Sequence, residues 1–235
     1  MTEIRGLFVS FEGGEGAGKS TQIRRLGDAL RAEGHDVVVT REPGGSRGAE
    51  SVRHVILSGA AEPFGVRMEA MLFAAARNDH VTALIRPALE KGRVVLCDRF
   101  IDSSRVYQGI TGNLEERFID RLERVAIDGV RPDLTIILDL PAEQGLARAR
   151  KRSADQGSTD APDRFEREEI DVHEMRRRAF LDIAAQEPGR CRVVNAARDE
   201  DEIARDIHAI VRQWLDGETK AVGATNSNSG AESLT

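Results

Sequence analysis

A glycine-rich segment near the start of the chain carries residues suited to phosphate chemistry. Residues 13–20 read Gly-Gly-Glu-Gly-Ala-Gly-Lys-Ser and match the pattern G-x-x-x-x-G-K-[ST] at every fixed position. Glycines let backbone N–H groups wrap closely around a polyphosphate, which side chains would block. Lys19 is placed to reach the β- and γ-phosphates, and the Ser20 hydroxyl is placed to bind Mg²⁺. The segment therefore predicts a nucleoside triphosphate site. Its expected phosphate-binding residues are Gly13, Gly14, Glu15, Gly16, Ala17, Gly18, Lys19, Ser20 and Thr21.

A carboxylate and an arginine follow a second apolar segment. Residues 94–97 read Val-Val-Leu-Cys, and Asp98 and Arg99 come directly after them. A carboxylate at the end of a strand can hold Mg²⁺ directly or through water, and a guanidinium can grip a phosphate with two hydrogen bonds. The alternative is an ordinary ion pair at a strand end. Beside a phosphate-binding loop, the functional interpretation is favoured.

Two further segments are ambiguous when they are considered on their residues alone. Residues 40–45 read Thr-Arg-Glu-Pro-Gly-Gly and form either a constrained turn at the ligand-binding edge or a plain connection. Phe73 and Arg77 lie four residues apart, so one helical face presents a ring and a guanidinium that can bracket a planar base. The alternative, a core phenylalanine and a solvated arginine, is favoured by local evidence.

The elements that must position these residues alternate along the chain. Short segments rich in Val, Ile and Leu are expected to be buried strands, and longer segments with helical spacing separate them. We therefore predict an α/β fold of the P-loop NTPase type, a five-stranded parallel sheet with helices on both faces. The expected strands are 7–11, 36–40, 93–97, 134–140 and 192–194. The expected helices are 21–32, 66–91, 114–127, 142–152, 165–186 and 199–215.

Composition bounds the class of protein and its surroundings only broadly. The chain has 235 residues and a net charge of −6, which suit one domain and argue against general nucleic-acid binding. No segment approaches membrane-spanning length, and the N-terminus does not resemble a signal peptide, so we expect a cytoplasmic protein with no membrane partner. We predict one domain over 1–215, a mobile loop at 153–162 and a disordered tail at 216–235.

The motifs together resemble the thymidylate kinase family of P-loop nucleoside monophosphate kinases, in its bacterial form. The guanine-reading Asn-Lys-x-Asp and the Leu-Ser-Gly-Gly-Gln of transporter ATPases are absent from the sequence. The resemblance covers about residues 6–215 and is most specific at Thr-Arg-Glu-Pro-Gly-Gly and Asp-Arg-Phe. The matching segments are 11–21, 40–45, 73–77, 98–100, 103–109 and 131–135.

The resemblance implies Mg²⁺-dependent phosphoryl transfer from ATP to dTMP, a step of dTTP biosynthesis. In this family pattern Phe73 stacks on thymine, reversing the local interpretation, and Arg77 bonds the edge of the base. Arg53 and Arg99 clamp the 5′-phosphate of the acceptor. The dTMP-binding residues implied in this way are Glu15, Arg53, Phe73, Arg77, Arg99, Ser104, Tyr107 and Gln108.

Other roles implied by the resemblance concern the sugar, the metal and the transferred group. Glu15 approaches the sugar 3′-hydroxyl, and Tyr107 lies near the deoxyribose. Ser20 and Asp98 are the expected metal-binding residues. The implied catalytic residues are Lys19, Arg99 and Arg152, which supply positive charge to the transition state.

A basic segment leads into the predicted lid. Some family members carry an arginine inside the P-loop, where this chain has Gly16, so the missing charge is expected from Arg148, Arg150 and Arg152. The lid is expected at about 148–164. For each single arginine, a solvated basic helix end is an equal alternative. The family resemblance also implies a homodimer packed through helices.

Two other functions stay open on the sequence alone. One is phosphorylation of another nucleoside monophosphate or of a deoxynucleoside, which the arginine pair disfavours because it anticipates an acceptor that already bears a phosphate. The other is a regulatory P-loop ATPase or switch, which needs a water-activating residue and a partner surface that the sequence does not reveal.

Overall fold

A computed structural model describes residues 6–155 and 169–227 and contains the predicted parallel sheet. All five strands run parallel in the order β2-β3-β1-β4-β5, and Phe11 of β1 lies opposite Asp98 of β3. The strands are β1 (Phe8–Glu12), β2 (Val37–Arg41), β3 (Val94–Asp98), β4 (Leu134–Asp139) and β5 (Cys191–Asn195). The predicted fold class, a five-stranded parallel sheet of the P-loop type, is confirmed.

Helices connect the strands and lie against the sheet. The helices are α1 (Lys19–Ala32), α2 (Arg47–Leu57), α3 (Gly65–His80), α4 (Arg86–Glu90), α5 (Ile101–Ser104), α6 (Glu116–Ile127), α7 (Ala142–Asp155), α8 (Ile170–Gln186) and α9 (Glu200–Ser227). A 3₁₀ turn (Glu62–Phe64) precedes α3, and π-helical turns follow α3 (Val81–Ile85) and α5 (Arg105–Thr111). Within the two described ranges, no helix combines the length and apolar composition that crossing a bilayer requires.

Neighbouring strand residues point to opposite sides of the sheet, so both faces carry apolar side chains. Helices cover these side chains on each face. On one face, apolar residues of α1 and α9 pack against Val9, Phe11 and Leu96. On the other face, the chain around α4 packs against Phe8 and Val95. Strands buried on both faces are continuous apolar segments rather than alternating ones, which is why the sequence reveals them.

The helical connections differ from the sequence expectation at three places. α2 and the α5 turn were not among the expected helices. The expected helix 66–91 is instead α3, a π-helical turn and α4. Pro87 lies in the first turn of α4 and lacks the N–H that an uninterrupted α-helix would use, so the backbone pairing shifts there.

The structure describes only part of the predicted lid and part of the predicted tail. α7 continues to Asp155, and residues 156–168 lie outside the described residues, together with most of the predicted loop 153–162 and part of the predicted lid 148–164. α9 continues to Ser227, whereas the tail was expected to begin at Asp216. Residues 216–227 contain no proline, so none of them lacks the backbone N–H that a helix uses. Residues 228–235 lie outside the described residues.

Candidate active site

The P-loop lies between the carboxyl end of β1 and the first residue of α1. Gly13, Gly16 and Gly18 have φ values of +134°, +66° and +92°, a region that favours glycine. A Cβ on Gly16 would overlap the carbonyl oxygen of Gly145, so this glycine is also required by close backbone packing. The loop conformation follows from the glycine positions and places the loop at the N-terminus of α1, where free backbone N–H groups favour an anion.

Lys19 and Ser20 begin α1, and their side chains contact the P-loop and the last residue of β3. Lys19 Nζ donates hydrogen bonds to the carbonyl oxygens of Gly13 and Gly14, both at 3.0 Å, and burial lowers its pKa. Ser20 Oγ donates to Asp98 Oδ2 at 2.7 Å. A hydroxyl oxygen beside a carboxylate at a phosphate-binding loop suits Mg²⁺, which takes few protein ligands and fills its remaining positions with phosphate oxygens and water.

A cavity of about 160 Å³ lies over the P-loop. Of the predicted lid arginines, Arg152 lines this cavity. Arg148 instead donates to the carbonyl oxygen of Ala196 at 3.1 Å, and Arg150 is exposed on α7. The structure thus brings one of the three lid arginines to the phosphate site. The cavity is lined by Glu15, Gly16, Ala17, Gly18, Lys19, Ser20, Thr21, Asp98, Arg99 and Arg152.

A second cavity of about 240 Å³ adjoins the first. It contains every residue that the resemblance assigned to dTMP, namely Glu15, Arg53, Phe73, Arg77, Arg99, Ser104, Tyr107 and Gln108. Arg53 donates to the carbonyl oxygen of Pro43 at 2.6 Å, which holds it beside the turn that follows β2. Glu15, Ser20, Asp98 and Arg99 line both cavities, so the two spaces meet at these side chains.

Arg99 is held at the junction of the two cavities. Its backbone has φ +67°, which is rare for a residue with a side chain and directs the guanidinium back toward the P-loop. Nη2 donates to Glu15 Oε1 at 2.5 Å, and the guanidinium lies 5.0 Å from the centre of the Tyr107 ring. Burial alone would raise the pKa of Glu15, but the charges of Arg99 and Lys19 outweigh burial and lower that pKa to about 2. Glu15 is therefore an anion at neutral pH.

Arg77 is a buried residue with fixed hydrogen-bond partners, so the local expectation of a solvated arginine is wrong. Nε donates to Glu42 Oε2 at 2.7 Å, Nη1 to Ser104 Oγ at 3.0 Å and Nη2 to the Phe100 carbonyl oxygen at 3.0 Å. A guanidinium has five N–H groups, so two are left beyond these three hydrogen bonds. Phe73 lines the same cavity and packs partly against the apolar cluster around α8.

Sequence reasoning missed the buried carboxylates that support the site. Glu12 accepts hydrogen bonds from the backbone N–H groups of Phe100 and Ser103 at 2.8 and 3.2 Å. Burial, and then the charge of Asp102, raise the pKa of Glu12 to about 7. Glu42 holds Arg77, and Glu69 accepts a hydrogen bond from Gln108 at 2.8 Å. A charged residue at the end of an apolar segment, as at Glu12, was the available signal.

A donor site and an acceptor site that share charged side chains define a P-loop kinase acting on a small anionic acceptor. The thymidylate kinase family model matches residues 11–207. The thymidylate kinase of Nitrobacter winogradskyi is 52% identical over 92% of this chain and 94% of that protein. The Bartonella quintana thymidylate kinase is 49% identical over 90% of this chain and 98% of that one.

A solved structure agrees with these relatives. The crystal structure of thymidylate kinase from Ehrlichia chaffeensis aligns with a TM-score of 0.69 at 30% identity, covering 88% of this chain and 99% of that one. The chain belongs to the thymidylate kinase family.

Proposed function

We propose that this chain transfers the γ-phosphoryl group of ATP to the 5′-phosphate of dTMP, giving ADP and dTDP on the way to dTTP. The observation that carries the proposal is the meeting of two cavities at Glu15, Asp98 and Arg99. One cavity lies over a complete P-loop, which suits the polyphosphate of ATP. The other is lined by arginine and an aromatic ring, which suits a nucleoside monophosphate.

We call the cavity of about 240 Å³ the acceptor cavity. At its base end, which is the part lined by Phe73 and Arg77, we propose that Phe73 stacks on thymine and Arg77 donates to the edge of that base. The two N–H groups left on Arg77 support this role, because thymine presents carbonyl oxygens as acceptors. At the phosphate end, Arg53 and Arg99 would bind the 5′-phosphate. Tyr107 and Glu15 would face the sugar, since Tyr107 donates to Glu15 Oε1 at 3.2 Å beside the same cavity.

The chemical step needs positioning and positive charge more than proton transfer. The attacking oxygen belongs to a phosphate that is already ionised, so no dedicated general base is required. Charge develops on the oxygens of the transferred group, and Lys19, Arg99 and Arg152 all line the P-loop cavity where that group would lie. Arg152 lies on α7, which leads into the proposed lid at about 148–164. Closure of such a lid would exclude water from ATP.

Mg²⁺ is the proposed metal cofactor, held by Ser20 and Asp98. The 2.7 Å contact between their oxygens places both beside the P-loop. When bound, Mg²⁺ would neutralise phosphate charge and fix the orientation of the polyphosphate. The protein side chains would keep their separate tasks of binding and orienting both substrates.

A homodimer and a cytoplasmic location are also proposed. Large apolar side chains are exposed on the outer side of α2, α3 and the turn before α3, and Phe64 is 69% exposed. Surfaces of this kind are typical of protein contacts. Cys97 and Cys191 are both free thiols, which suits a reducing compartment. Residues 1–215 are proposed to form one kinase domain.

The test is an ADP-release assay with ATP and Mg²⁺, in which dTMP, dUMP, dCMP, AMP, GMP and thymidine are offered separately. We expect strong turnover with dTMP and weak turnover with dUMP. A Phe73→Ala variant should lose most of the dTMP-dependent rate. Preference for thymidine or another monophosphate would contradict the proposed acceptor. ADP release that ignores every acceptor, and that Phe73→Ala leaves unchanged, would point instead to a regulatory ATPase.

A further inference from the structure

A buried amide–carboxylate pair lies at the edge of the acceptor cavity. Gln108 belongs to the π-helical turn after α5, and Glu69 belongs to α3. Their side chains meet where Gln108 Nε2 donates to Glu69 Oε1 at 2.8 Å. Gln108 is 1% exposed and Glu69 is 3% exposed, so water does not compete for this hydrogen bond.

The carboxylate decides which way the Gln108 amide points. An ionised carboxylate has only acceptor atoms, whereas an amide has a donor end and an acceptor end. Glu69 therefore selects the NH₂ end and leaves Gln108 Oε1 as the remaining polar atom of that amide. Gln108 lines the acceptor cavity, and within the described part of the chain no hydrogen bond to its Oε1 is formed. The acceptor cavity therefore presents a hydrogen-bond acceptor, Gln108 Oε1, at this position.

A second buried carboxylate, that of Glu42, holds an arginine that offers hydrogen-bond donors to the same cavity. Glu42 Oε2 accepts from Arg77 Nε at 2.7 Å, and Arg77 can only donate. The base end of the cavity therefore presents donors from Arg77 and an acceptor from Gln108. Thymine has the complementary pattern, an O4 acceptor next to an N3–H donor. Cytosine has the reverse pattern, an amino donor at C4 next to an unprotonated N3 acceptor.

We propose that Glu69 is a positioning residue that sets the preference for thymine over cytosine, by holding Gln108 so that Oε1 accepts from N3–H. This inference rests on the proposed function, because it assigns a reading role within the same acceptor site. Glu69 itself does not line the acceptor cavity. It acts through the orientation of Gln108.

The decisive variant is Glu69→Gln, which keeps the side-chain shape but can pair with Gln108 in either amide orientation. The substrates are dTMP and 5-methyl-dCMP, which differ only in the donor and acceptor pattern at C4 and N3. We expect the ratio of kcat/KM for dTMP to that for 5-methyl-dCMP to fall about tenfold, mainly through a higher KM for dTMP. KM for ATP should stay within about twofold of its original value.

Two further variants separate positioning from stability. Glu33→Gln alters a carboxylate at the end of α1 that pairs with Arg212 and lines neither cavity, and it should leave the substrate ratio unchanged. The double variant Glu69→Gln with Gln108→Glu exchanges the two groups. The new amide on α3 would then donate to the new carboxylate on the π-helical turn, whose second oxygen again offers an acceptor to the cavity. The ratio should therefore return to within about threefold of the original. This double variant also decides the matter if the single variant does not fold.

The ratio of kcat/KM values decides whether Glu69 has the positioning role. An unchanged ratio in Glu69→Gln, or equal losses with both nucleotides and with ATP, would overturn the positioning role. A double variant that folds without regaining the preference would also overturn it. Failure of the proposed function is a different observation, because the unaltered protein would then show no preference for dTMP over the other acceptors.

Discussion

At the scale of single residues, carboxylates hold two arginine side chains of this site. Glu15 accepts from Arg99, and Glu42 accepts from Arg77. An arginine that is already oriented loses little further freedom when a ligand arrives, so its remaining N–H groups are available at low entropic cost. The acceptor cavity therefore exists before substrate binds. Its positive charge is balanced by the acids that hold these arginines.

Replacing Asp98 by asparagine should impair catalysis through the metal. An amide is a weaker ligand than a carboxylate for a hard cation, so Asp98→Asn should lower kcat about 100-fold and raise the Mg²⁺ concentration needed for half-maximal rate. A Mg²⁺ titration of the steady-state rate measures both effects. Asp36→Asn is the control, because Asp36 pairs with Arg93 on the surface. A normal Mg²⁺ requirement in Asp98→Asn would contradict the assignment.

Glu12 should make stability depend on pH in an unusual direction. Burial raises its pKa from 4.5 to about 7, so the folded protein binds more protons than the unfolded chain in this interval. The contribution of Glu12 to folding therefore falls as pH rises, by about 3 kcal/mol across the whole shift. Urea unfolding of the original protein and of Glu12→Gln, from about pH 4 to about pH 8, should show the variant gaining relative stability toward high pH. Parallel curves for the two proteins would contradict the shift.

At the scale of elements, the turn after β2 connects the sheet edge to the acceptor site. Gly45 packs against Thr40 and His80, and a Cβ there would overlap Thr40 Oγ1 and lie 2.5 Å from His80 Nε2. His80 bonds Thr40 through Nε2 at 2.7 Å and Glu42 through Nδ1 at 3.1 Å. One set of buried polar contacts thus holds together the turn after β2, helix α3 and Glu42, which accepts a hydrogen bond from Arg77.

The Gly45→Ala substitution should disturb this contact set. Gly45 has φ +86°, and its added methyl group would meet two buried side chains, so the loss of stability should exceed about 2 kcal/mol. Gly34→Ala is a matched control, because Gly34 has φ +93° but nothing lies within 4 Å of its Cβ position. That control should cost only about 1 kcal/mol from the backbone conformation. Urea unfolding measures both, and equal losses would contradict the role of the close contact.

The sequence was most informative where structure depends on local spacing. The P-loop, Asp98 and Arg99 could be predicted because each follows a buried strand within a few residues. The Glu69–Gln108 hydrogen bond spans 39 positions and joins two helices, so no local period reveals it. The burial of Arg77 was missed for the same reason, since its partners Glu42 and Ser104 come from separate elements. α2 was not predicted, and its two buried apolar residues, Ala49 and Ile56, lie seven positions apart.

At the scale of the whole molecule, the donor and acceptor cavities face each other across the carboxyl ends of β1 and β3. This edge is where ligands bind in parallel α/β sheets, because strand ends and helix N-termini converge there. The outer surface of α2 and α3 carries a different kind of feature. Val55, Phe64, Met68 and Met71 are all large apolar residues that remain exposed in the single chain.

Introducing charge on this outer surface should break the proposed homodimer. Met68 and Met71 are one helical turn apart on α3 and are 39% and 41% exposed, so the double variant Met68→Glu and Met71→Glu places two like charges at the expected contact. We expect the dimer dissociation constant to rise at least about 100-fold, because burying unpaired charges is costly. Sedimentation velocity across a range of protein concentrations measures this change. Met175→Glu on α8 alters a similarly exposed methionine (49%) away from that surface and should leave the dimer intact. If the original protein sediments as a monomer, or if only the Met175 variant dissociates, this surface is not the dimer contact.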